Sequence, residues 1–173
     1  MNQRETGEAT GYLRWPVKRS FREYIAALPD GSETVDGGVA SADGNFVFAE
    51  CGSTGFADGG TAGTIRYGGG VSFGGYGGML SARLFEPWIE IDGPQARLSV
   101  QTRGGTYPVR QVIATWELPV PQTTGELMVW RDAVPLLTFE GVSLFGDVYQ
   151  PGSALDGLTF SRGCRHKTAK AGG

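Results

Sequence analysis

Hydrophobic and polar positions along this chain keep two different periods. Val17, Phe21, Tyr24, Ile25 and Leu28 fall on one face of a helix of about 3.6 residues per turn, while Lys18, Arg19, Arg22 and Glu23 occupy the other. Pro16 suits the opening turn of such a helix, and Pro29-Asp30-Gly31 ends it. Everywhere else the apolar runs are short and bounded by glycine. Gly11-Tyr12-Leu13-Arg14-Trp15 alternates as a strand, and further strands are predicted over 34–40, 45–51, 64–67, 70–73, 79–85, 88–91, 96–102, 109–118, 127–130, 136–139 and 142–145. About eleven short strands at this spacing predict a mainly β, antiparallel sandwich or barrel-like domain with one short N-terminal helix.

Composition agrees. The 29 glycines follow no Gly-X-Y period and sit in pairs between apolar runs, where they serve turns and bulges. At 173 residues, 40% hydrophobic and 19% charged, the chain is large enough to bury a single core without disulfides. No internal repeat and no long linker divides it. The expected organisation is a disordered polar segment over 1–10, one domain over 11–161 and a disordered basic tail over 162–173. The longest loop is expected over 52–63. Cys51 and Cys164 stand alone and far apart, which makes a reduced pair the default.

The residue inventory then removes several kinds of chemistry. A net charge of −3 leaves no broad basic surface for phosphates, which argues against nucleic acid as a partner. No apolar run of about 18 residues is present for a membrane span. The polar start lacks the apolar segment of a secretory signal, so a cytoplasmic location is expected of the sequence as written; a chain processed from an exported precursor would belong at the cell surface. The one histidine, His166, lies in the basic tail, which disfavours a Ser-His-Asp or Cys-His group and a zinc site alike. Glu90 and Asp92 alternate on a strand and read as its wet side. Gly74-Gly75-Tyr76-Gly77-Gly78 lacks the Lys-Ser/Thr and the following helix of a phosphate loop.

Two tyrosines remain. Tyr24 lies at the edge of the apolar stripe of the helix, one turn after Ser20 and beside Phe21. It is either a core tyrosine or a phenol positioned to ionise against a hard metal ion, a hydroxyl whose free pKa is about 10. Tyr76 sits in the glycine-rich segment, where it packs over the loop or faces the same ligand.

The string Leu13-Arg14-Trp15-Pro16-Val17-Lys18-Arg19-Ser20-Phe21-Arg22-Glu23-Tyr24-Ile25 resembles the opening of the HtaA domain, a bacterial haem-binding and haem-uptake domain. The likeness continues through Phe73-Gly74-Gly75-Tyr76-Gly77-Gly78-Met79-Leu80 and Pro87-Trp88-Ile89-Glu90-Ile91-Asp92-Gly93, and ends near Leu155-Asp156-Gly157-Leu158-Thr159-Phe160. The resemblance implies a β-rich fold whose helix tyrosine, here Tyr24, is the axial ligand of ferric haem b, with Ser20 of the same helix on the propionate side; Phe21 and the basic Arg22, read from the helix itself, are further candidates to face the haem and its propionates. It also implies a departure: where the family carries a histidine that hydrogen-bonds the ligand tyrosine, this chain has Tyr76. A phenol can donate to a phenolate but cannot become a cation near pH 6.

Three functions follow from these readings. The first is a haem-binding protein in haem transfer or storage, with a transfer partner protein. The second is an intracellular haem enzyme that acts on a small-molecule substrate through a tyrosinate-ligated iron. The third is a haem-free β-fold holding another flat apolar ligand.

Overall fold

In the computed structural model the described residues are 10–56, 61–103 and 106–164. They form thirteen strands and two α-helices: β1 (Tyr12–Trp15), α1 (Arg19–Ala27), β2 (Ser32–Asp36), β3 (Ala40–Ala42), β4 (Asn45–Thr54), β5 (Ala62–Tyr67), β6 (Gly70–Gly75), a short 3-10 turn (Tyr76–Gly78), β7 (Leu80–Asp92), β8 (Gln95–Arg103), β9 (Val109–Glu117), β10 (Gln122–Thr124), β11 (Leu127–Ala133), β12 (Leu136–Leu137), α2 (Phe139–Leu144) and β13 (Leu158–Gly163). The segment 1–9, the basic positions Arg165, Lys167 and Lys170 with His166, and the middle of the 52–63 loop lie outside the described residues. No described helix is long and apolar enough to cross a membrane.

All pairings are antiparallel, in the order β10-β11-β13-β1-β4-β5-β7-β8-β9-β12, with β3 beside β4 and β2 beside β6. The sheet is open at its ends but folds over one core. Phe160 of β13 meets Trp116 of β9 at a ring separation of 6.1 Å, although several strands lie between them in the sheet order. Alternating inward residues such as Phe46 and Phe48, Leu84, Ile89 and Ile91, and Leu98 and Val100 fill that core. Cys51 is exposed, Cys164 half-buried, and they are not bridged.

Several predicted boundaries are corrected. The two strands expected over 79–85 and 88–91 are one long β7, bulged between Phe85 and Trp88, where Glu86 takes a positive φ of 47° and its N–H donates to Gly69 O at 2.7 Å. The first half of β7 pairs with β6 and the second half with β5 along the same edge, with Gly68-Gly69 as the step between them. The strand expected over 142–145 is helical: the Thr138 side chain accepts from Gly141 N at 3.0 Å and caps α2, a signal that overrides the apolar run after it. Only glycine fits at position 141, since a Cβ there would lie 2.2 Å from Ile113 O. The expected strand 136–139 shrinks to β12, and 34–40 resolves into β2 and the separate β3. The strand β13 was not predicted, although Leu158-Thr159-Phe160 alternates. It is central, pairing with β11 and β1, and carries Arg162 and Gly163 into the sheet rather than into a tail.

The helix also starts later than its apolar stripe. Val17 has φ 69°, a strained value for a β-branched residue that costs about 1–3 kcal/mol, and Lys18 is extended. The conformation holds because Val17 is fully buried and its carbonyl accepts from Asp156 N at 3.2 Å. Lys18 supplies no side-chain cap. Asp156 supplies one from across the chain, its Oδ2 accepting from Arg19 N at 2.9 Å.

Candidate functional site

The helix α1 lies against β2 and β6 with Phe21 and Ile25 as its buried residues. Phe21 packs edge-on against Phe73 of β6 at 5.3 Å and against Phe145, just past α2, at 5.0 Å. These aromatic contacts fix the rotation of the helix about its axis. At about 100° per residue, Ser20 and Tyr24 then fall on one flank of the buried stripe and Arg22 on the opposite flank.

The flank of Tyr24 faces the turn that follows β6. The Tyr24 and Tyr76 hydroxyls are hydrogen-bonded to each other, and their rings lie 6.3 Å apart at 48°. Both side chains are open to solvent, Tyr24 at 37% and Tyr76 at 50% relative exposure. The hydrogen bond to Tyr76, with smaller help from desolvation, raises the Tyr24 pKa above the ordinary tyrosine value. Tyr24 therefore sits at the edge of the core, half-exposed, rather than inside it.

Tyr76 is held by its backbone. It has φ 52° and is followed by Gly77 and Gly78 at φ 62° and 91°, so three successive residues turn through the left-handed region. Glycine is the residue that occupies this region without strain, which accounts for the doubled glycine after Tyr76. Asp30, in the turn that closes α1, accepts from Tyr76 N at 3.1 Å and from Gly77 N at 2.6 Å. Those two amide bonds hold the Asp30 carboxyl below the ordinary aspartate range. The helix and the glycine turn are thus tied by one carboxylate at the backbone and by one phenol pair at the side chains.

On the same flank Ser20 Oγ hydrogen-bonds Tyr149 OH at 3.1 Å. The Lys18 ammonium stands 5.0 Å over the Tyr149 ring and donates to Ala154 O at 2.8 Å. Met79, directly after the glycine turn, is 91% exposed. Arg22 is engaged elsewhere: its guanidinium forms a two-pronged pair with Glu33 at 2.8 Å for each bond, donates to Gly44 O at 2.6 Å, and lies 4.3 Å over the Phe46 ring. The structure therefore brings Ser20, Tyr24 and Tyr76 to one surface, buries Phe21 beneath it, and places Arg22 on the far flank as a brace between α1, β2 and β4. Of the other pair considered from sequence, Glu90 is ion-paired with Arg97 on the neighbouring strand.

Asp30, Tyr149 and Asp156 were not singled out from the sequence. Asp30 was legible only as part of a helix stop. Tyr149 is far from Ser20 in the chain and belongs to a loop with no periodic signal. By contrast Tyr67, another tyrosine with a raised pKa, is a core residue: burial holds its phenol neutral and its hydroxyl donates to Ser161 O at 2.9 Å.

The sequence model of the HtaA family (Htaa) matches residues 10–161. Two solved structures are similar to the chain at 26% identity and a TM-score of 0.75: the C-terminal domain of HtaA from Corynebacterium glutamicum, with 90% of this chain and 96% of that one covered, and the N-terminal domain of the same protein, with 92% and 99% covered. Heme binding protein HtaB from Corynebacterium glutamicum shares the fold at 23% identity and a TM-score of 0.65, over 89% of this chain and 92% of that one. No curated protein matches the chain. With the match running unbroken from just before β1 to within β13, and so taking in both halves of the tyrosine pair, the chain belongs to the HtaA family.

Proposed function

We propose that this protein binds ferric haem b through Tyr24 and serves in haem transfer or storage. The observation that carries the reading is the meeting of the Tyr24 and Tyr76 hydroxyls on a half-exposed flank of α1. Family membership supports it, because haem binding is what the HtaA likeness implies. So does the donor set. Among the described residues no three His, Cys, Asp or Glu side chains group as a metal site. A porphyrin brings four nitrogen donors of its own, so one protein oxygen would suffice, and phenolate is a ligand that haem iron accepts. Bound haem supplies a Lewis-acidic ferric ion and a flat apolar ring.

The chain's own residues do the rest. Unliganded Tyr24 is a neutral phenol at pH 7, as any tyrosine is, and its bond to Tyr76 raises its pKa further. Ligation would release that proton to solvent, to which Tyr24 is open. Tyr76, kept within reach by Asp30, would then be the donor to the Tyr24 oxygen and would stabilise it as phenolate. The Ser20 and Tyr149 hydroxyls offer donors for a propionate on the same flank, a role in which Tyr149 replaces Arg22.

Titration of the purified protein with ferric haem, followed in the visible spectrum, tests the reading. Saturable one-to-one binding with a phenolate-to-iron charge-transfer band is expected, and Tyr24→Ala is expected to abolish that band. A spectrum unchanged by Tyr24→Ala refutes the ligand assignment. Absence of saturable binding refutes the haem reading altogether.

A further inference from the structure

The other end of β7 carries a cavity. The Tyr76 turn precedes Leu80 at the start of the strand, whereas Ile91 lines a cavity at its end, up to about 35 Å away along the strand at about 3.3 Å per residue. The cavity has a volume of about 450 Å³, within the range of small-molecule sites. Its walls include Phe56, Ile91, Leu118, Met128 and Trp130, and the Pro119-Val120-Pro121 turn forms part of the lining. One lining residue is charged, Arg162 of β13.

The Arg162 guanidinium lies 4.3 Å over the Phe56 ring, no carboxylate pairs with it among the described residues, and its buried Nε makes no hydrogen bond. Trp130 is 3% exposed, stacks on Phe160 at 4.8 Å, and its buried indole N–H is also without a partner. Within this lining the guanidinium is the one charge and no anion faces it among the described residues, so an acidic ligand is its natural complement. A planar guanidinium fits a carboxylate through two parallel N–H bonds, and stacking on an aromatic ring holds its plane fixed. The remaining lining is uncharged and largely apolar, which suits a hydrocarbon body.

We infer that this cavity binds a small aliphatic monocarboxylate, its carboxylate on Arg162 and its chain among Ile91, Leu118 and Met128. The site is separate from the Tyr24 flank and does not depend on haem.

The probe is decanoate, compared with decan-1-ol, in calorimetric titrations together with the nuclear magnetic resonance signal of the Trp130 indole N–H. Decanoate is expected to bind saturably at one site and to shift that resonance. Arg162→Gln is expected to weaken decanoate by about tenfold while leaving decan-1-ol unchanged, the loss typical of one charge-assisted contact. Thr61→Trp, a change at an exposed lining position, is expected to block both probes with the fold intact by thermal melting. Tyr24→Ala is expected to leave decanoate binding as it is. Absence of saturable binding, equal affinity of decanoate in Arg162→Gln, binding indifferent to Thr61→Trp, or loss of binding in Tyr24→Ala each overturns the inference.

Discussion

Replacing Tyr76 by phenylalanine removes one oxygen and tests how the tyrosine pair works. In the unliganded protein the change is nearly silent. Both side chains are well exposed, so water takes over the lost hydroxyl contact, and the melting temperature is expected to stay within error of the parent protein. In the proposed haem complex the same oxygen would be the donor to a phenolate, a charge-assisted bond that is stronger than the neutral one it replaces. The two losses differ in size, and the difference falls on the haem complex. Discounted for exposure, it corresponds to about three- to tenfold weaker ferric haem binding.

The pH dependence supplies a second reading of the same variant. If Tyr24 is the ligand, ligation releases its proton, so affinity is expected to rise about tenfold per pH unit while Tyr24 is neutral and to level off above its pKa. In the parent protein the bond to Tyr76 raises that pKa, which places the plateau above the ordinary tyrosine range of about 10. Without Tyr76 the largest cause of the shift is gone, and the plateau moves down toward pH 10. Haem titrations across pH 7 to 11, with the charge-transfer band as signal, measure both quantities. An unchanged affinity together with an unchanged plateau in Tyr76→Phe would refute the proposed hydrogen bond to the ligand oxygen.

Other substitutions separate the supports of the site. Tyr76→His is expected to tighten haem retention and to add a second pH dependence near 6, seen as faster haem release to a competing acceptor as the pH falls through that value. Asp30→Ala removes the carboxylate that ties the glycine turn to α1 and is expected to weaken haem binding severalfold with little change in melting temperature. The Asp30 pKa is lowered in the folded state, so this tether is intact above the ordinary aspartate pKa and lost as pH falls through its depressed value; acid-induced exchange of the Tyr76 and Gly77 amides checks it. Asp156→Ala removes the cap at Arg19 and is expected to cost about 1 kcal/mol in denaturant unfolding, with Asp156→Asn recovering most of it.

The two periods of the chain carried most of the architecture. A strand alternates because its faces see different surroundings, and a short helix shows its buried stripe at turn spacing, so β1, α1 and the body of β4, β8 and β9 were readable from local pattern alone. Failures came where a local device outweighed the pattern. Thr138 capped a helix through an apolar run, a bulge at Glu86-Pro87 joined two apparent strands into one, and β13 escaped notice although Leu158 and Phe160 mark its inward face. The start of α1 was displaced for the same kind of reason, since Asp156 and the burial of Val17 hold a backbone that the helical stripe does not anticipate.

Sequence by itself determined that Tyr24 lies at the edge of a helix stripe, that a glycine-rich turn carries Tyr76, and that the one histidine, His166, falls in the basic C-terminal segment. It could not join the two tyrosines, because their meeting depends on β6 returning the chain beneath α1 and on Asp30 gripping the turn from across that gap. Nor could it sort Ser20 from Arg22, which lie two residues apart in the chain and on opposite flanks of the helix. That choice is made by the rotation of α1 about its axis, set by Phe21 between Phe73 and Phe145, and only packing in three dimensions fixes it.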